Sequence, residues 1–169
     1  SRGPRLWAKP RLAVLRSRQA TCPQETSNWE DVSQPPPNPI VITWDYGAGC
    51  VDKDGDFFKG SVSMSIYDPE IDPEVGVVGW SRLVFSFNNF SDGRKTISGS
   101  TDIVRLTNGD PAGPHAKYKL NLRYTNTTGC SLQLVEEGTI TFVDEDETKF
   151  TETGSGKVSG SLNASYQKS

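Results

Sequence analysis

The stretch Ser61-Val62-Ser63-Met64-Ser65-Ile66 decides the fold class. Val62, Met64 and Ile66 fall on one side of an extended chain and the three serines on the other, because successive side chains of a strand point to opposite faces. Three other stretches repeat the pattern. Leu83, Phe85 and Phe87 alternate with Arg82, Val84 and Ser86. Tyr118, Leu120, Leu122 and Tyr124 alternate with Lys117, Lys119, Asn121 and Arg123. Val158, Leu162, Ala164 and Tyr166 alternate with lysine, serine and asparagine. A period of two in four separate segments predicts strands with one apolar and one wet face, and no segment after residue 40 fits a helical period as well.

Outward from these anchors, further strands are expected at 40–46, 95–106, 131–143 and 148–153. The breaks carry turn chemistry at Asp54-Gly55, Asp92-Gly93, Asn108-Gly109 and Thr128-Gly129. Ile97 and Ile103 share a parity that Val104 and Leu106 break, which predicts a bulge near Asp102. The expected architecture is all-β: an antiparallel β-sandwich or meander of seven to eight strands with an extended N-terminal arm.

Three zones divide the chain. Residues 1–22 hold Arg2, Arg5, Lys9, Arg11, Arg16 and Arg18 and no acid, so every aspartate and glutamate lies beyond Cys22. Residues 23–39 form a polar linker that ends Pro35-Pro36-Pro37-Asn38-Pro39, a composition suited to semi-rigid polyproline II. Residues 40–169 form the β domain. A basic arm can bind nucleic acid, a membrane surface or an acidic protein, and the acidic partner nearest to hand is this protein's own body, in the same or a neighbouring copy. The same acidity opposes nucleic-acid binding. No apolar run approaches the roughly 20 residues of a membrane helix. A chain that opens at Ser1 without an apolar signal core reads as one whose leader has been removed, or as a fragment.

The three cysteines lack metal-ligand spacing. Cys50 and Cys130 both follow glycine near strand ends, and a bond between them would close a loop of about 80 residues, contributing around 4 kcal/mol in the chain-entropy view. Cys22 is then left for an intermolecular bond, or is itself the partner of one of the two. Disulfide chemistry places the chain in an oxidising, extracellular setting. Asn89-Phe90-Ser91, Asn126-Thr127-Thr128 and Asn163-Ala164-Ser165 have the form of glycosylation acceptors.

The string Trp44-Asp45-Tyr46-Gly47-Ala48-Gly49-Cys50, followed by Asp54-Gly55, Lys59-Gly60-Ser61-Val62 and Phe87-Asn88-Asn89-Phe90, resembles a group of uncharacterised bacterial secreted or lipid-anchored β-rich proteins with a D-[FY]-G-x-G-C segment. The resemblance spans about a third of the chain. It implies export and a β fold, and it implies no activity. Such proteins usually begin at a lipobox cysteine; Arg18-Gln19-Ala20-Thr21 ahead of Cys22 does not match one.

Chemistry is sparse. Asp52, Asp54 and Asp56 alternate as the first ligands of a calcium loop do, but no glutamate stands eleven residues after Asp52, so a hairpin turn fits the string better. No other cofactor is indicated. His115, the single histidine, lies in a loop composition, and no G-x-S-x-G or paired nucleophile and base is present. The chain is therefore read as non-enzymatic. Trp7, Trp29, Trp44 and Trp80 suit either a core or a sugar-stacking platform. The expected function is that of a secreted structural protein of the cell surface, a filament or surface-layer subunit that polymerises by strand donation. Leu12, Val14 and Leu15, flanked by Arg11 and Arg16, would insert beside a neighbour's sheet edge. The alternative is a monomeric cell-surface module that binds glycan or calcium.

Overall fold

The computed structural model describes residues 21–106, 114–143, 149–160 and, as backbone, 164–168. Twelve strands and no helix are found there: β1 Gln24–Ser27, β2 Ile40–Asp45, β3 Cys50–Val51, β4 Phe57–Tyr67, β5 Glu70–Asp72, β6 Gly76–Gly79, β7 Arg82–Ser91, β8 Lys95–Arg105, β9 Ala116–Asn126, β10 Ser131–Phe142, β11 Phe150–Gly160 and β12 Ala164–Lys168. The main sheet runs β1-β2-β4-β7-β8-β9-β10-β11-β12, every pair antiparallel and each strand beside its predecessor along this path. It is a meander. β3 pairs with the start of β4, and β5 and β6 form a separate hairpin.

The strand expected over 157–166 and that over 148–153 are differently divided in the fold. β11 takes both Phe150–Thr153 and Val158, ends at Gly160, and leaves Ala164–Lys168 to β12. The bulge is also elsewhere. β8 pairs without interruption from Gly99 to Val104, and the register slips instead between Phe87 and Phe90, with Asn89 at φ 48°. Val104 breaks the apolar parity because it sits on the wet face, 44% exposed, and no extra residue is inserted.

The alternation fixes which face is buried. Across the sheet, Ile40, Ile66, Leu83, Ile103, Tyr118, Gly138 and Gly154 occupy one row. The four isoleucines Ile40, Ile66, Ile103 and Ile140 have no exposed surface at all. A single sheet reaches such burial only by bending round its own apolar face, which its inherent twist favours. Trp29, from the segment between β1 and β2, and Val77 of the β5–β6 hairpin complete this core at one end of the strands. Trp29 is held by its indole N–H, which donates to Gln34 O at 3.0 Å. So part of the stretch 23–39 belongs to the folded sheet. A second cluster, Tyr46, Phe58, Val62 and Phe90, fills the other end, with Cys22 and Cys50 packed against it.

Candidate functional site

The expected Cys50–Cys130 bond does not form. Cys22 bonds Cys50, with their Cα atoms 5.9 Å apart, and Cys130 is an exposed free thiol. The reason is register. β1 pairs Gln24 with Asp45, which brings the residues just before β1 alongside the turn that leads into β3. Cys130 lies in the β9–β10 turn, several strands away. There Asn126 Oδ1 accepts from the amides of Thr128 and Cys130 and from the Thr128 hydroxyl, which locks the hairpin tip. The disulfide therefore fixes the point at which the chain enters the sheet, on its β1 edge.

Asp52, Asp54 and Asp56 are not gathered round a point. Asp52 Oδ1 accepts the amides of Asp54 and Asp56, both at 2.9 Å, and closes the β3–β4 hairpin. Among the described residues no three histidine, cysteine, aspartate or glutamate groups are placed to hold a metal ion. His115 lies ahead of β9 and takes a structural part: its Nδ1 accepts the Phe142 amide at 3.0 Å, and its ring stacks on Phe142. Among the described residues the tryptophans are not assembled into a platform. Trp29 is buried, Trp44 packs on the core, and Trp80 lies under the Arg105 guanidinium, 4.4 Å from ring centre to carbon. Trp7 and the assembly residues Arg11, Leu12, Val14, Leu15 and Arg16 lie outside the described residues.

The wet face of the sheet is mostly polar, with Val104 and Val135 exposed among the polar groups. Asp102, Lys119 and Glu137 follow one another across β8, β9 and β10. Arg82 grips Asp102 with two hydrogen bonds of 2.9 and 2.5 Å, and Lys119 reaches Glu137 at 3.8 Å. Asp102, Lys119 and Glu137, with Asn121, Val135 and Lys157 among others, line an open trough of about 940 Å³.

One arrangement on the inner face left almost no signal in the sequence. Glu136 is 3% exposed, and Tyr118 donates its hydroxyl to Glu136 Oε1 at 2.5 Å. Tyr118 belongs to β9, and its register partner on β10 is Gly138, which in turn faces Gly154 on β11. The tyrosine ring lies flat across two strands that carry no side chain there; a methyl group on Gly154 would collide with its oxygen. This is aromatic cover for paired glycines. Gly138 and Gly154 are the only trace of it in the sequence. Nearby, burial pushes the Tyr124 phenol up from its ordinary pKa, and the Glu136 charge adds to the rise.

The inner face is unevenly filled. At the Trp29 end it is sealed. At the disulfide end, on β8 to β11, Ile97, Tyr124, Leu134 and Val158 are half-buried and Leu132 is 37% exposed. None of these five belongs to either core cluster.

Compared with protein-family models, curated proteins and solved structures, the chain matches none.

Proposed function

We propose that this protein is an extracellular, non-enzymatic structural subunit that polymerises by lending its basic N-terminal arm to a neighbouring copy. One observation carries the reading. The sheet is an open meander whose outermost strands, β1 and β12, have no further strand partner among the described residues, and the arm leaves from one of those edges, rooted by Cys22–Cys50. An open edge presents a row of unpaired amides and carbonyls that an extended segment can satisfy. The arm's root at β1 and the β12 edge are different surfaces of the sheet, so an arm-to-β12 contact is head-to-tail, and it propagates into a filament unless rotation closes it. Arm and body carry opposite charge, which speeds the encounter. The disulfide suits an oxidising location.

The test compares the full chain with one lacking residues 1–20, which keeps Cys22 and its bond. Sedimentation and negative-stain electron microscopy are expected to show concentration-dependent polymers for the former and monomers for the latter. Equal assembly of the two, or a full chain that stays monomeric at every concentration, overturns the proposal.

A further inference from the structure

The half-filled end of the inner face is a strip of apolar side chains bordered by glycines on β8 and β11. Gly99 stands in register with Leu122, which pairs with Leu134; Gly160 stands opposite Leu132; Gly156 opposite Glu136. These three glycines raise nothing above the sheet, whereas Ile97, Tyr124, Leu132, Leu134 and Val158 flank them. The sealed end of the same face shows what is missing. There, Trp29 and the β5–β6 hairpin lie over the sheet and bring the isoleucines to zero exposure. Among the described residues nothing equivalent covers the strip at the disulfide end.

The geometry points to the residues 12–15 of the N-terminal arm as its cover, with Leu12 and Val14 seated on Leu132, Leu134 and Val158. Three observations select this occupant. The chain leaves the sheet at Cys22, tied to Cys50, at the same end of the strands as the strip. Leu12 lies ten residues before Cys22, a span of at most about 36 Å when extended. In an extended segment Leu12, Val14 and Arg16 share one face, so the apolar pair meets the strip while a cation follows it. The body it meets is acidic: of 18 lysines and arginines six are in the arm, while all 21 acids are in the remainder. The inference rests on the assembly reading only for which copy supplies the arm, and it seats Leu12 and Val14 on the inner face instead of beside an edge strand.

The full chain is used for the test, in a Cys130→Ser background, with Val14→Cys combined with Leu132→Cys, or with Val104→Cys on the wet face as the control. Cross-linking at 132 is expected about tenfold faster than at 104, because docking raises the effective concentration of the two thiols. Cross-links between chains support both the docking and the assembly. Cross-links within one chain support the docking and overturn assembly by exchange. Equal rates at the two positions overturn the docking even where filaments still form. Independently, Leu12→Asp with Val14→Asp is expected to raise amide exchange over 131–135; unchanged exchange contradicts the inference.

Discussion

Replacing Ile103 by alanine tests the whole assignment of faces. Ile103 is completely buried, in register between Leu83 on β7 and Tyr118 on β9. The substitution deletes three carbons, about 2.4 kcal/mol of transfer free energy at roughly 0.8 per methylene. A sheet held by ladder hydrogen bonds on both sides cannot close over the gap, so a cavity term adds to it and brings the expected cost to about 3–4 kcal/mol. In a domain of this size that lowers Tm by roughly 6–15 °C. Val104, the next residue, points to the other face and is 44% exposed. Val104→Ala is expected to cost under about 1 kcal/mol. Urea unfolding in non-reducing buffer, followed by tryptophan fluorescence at one fixed protein concentration, measures both variants, and an unchanged m-value shows that the change lies in stability. A Val104→Ala cost equal to or above that of Ile103→Ala would refute the reasoning.

Three further outcomes are expected. Under native, non-reducing conditions a maleimide should label one thiol per chain, Cys130, and all three after reduction and unfolding; replacing Cys22 and Cys50 by serine should cost about 3–4 kcal/mol, from the loop of 28 residues they close. Tyr118→Phe should cost about 1.5–3 kcal/mol, since it deletes a hydrogen bond to a buried carboxylate, and Gly154→Ala should destabilise as well, because the new methyl collides with the same oxygen; unfolding curves check both. The Asp92 carboxyl is held below its ordinary pKa first by the Arg94 amide and then by the Lys95 amide. Its stabilising contribution is therefore complete above about pH 4, the unfolded value, and is lost as pH falls through the lower folded value. Asp92→Asn should flatten the acid limb of the stability profile, and an NMR titration of Asp92 at or above the ordinary value would contradict the account.

The apolar strip at the disulfide end was half legible. Tyr124, Leu122 and Val158 announce an inner face by their parity, yet parity is silent on how well that face is covered. The Tyr118–Glu136 pair was not legible at all. A glutamate in a polar-looking run reads as solvated, and only the pairing of Gly138 with Gly154 explains why a tyrosine can lie across two strands to reach it.

By itself the sequence determined that the chain is antiparallel β, which side chains face inward, and where most strands turn. Those properties are local: they follow from the period of two and from the conformations that Asp-Gly and Thr-Gly turns accept. Only the tertiary structure decided that the strands form one open meander, that Cys22 rather than Cys130 bonds Cys50, and that Trp29 belongs to the core. Each of these depends on which distant segments lie side by side. Register sets that proximity through the summed burial of a whole face, a quantity that no single stretch of residues contains.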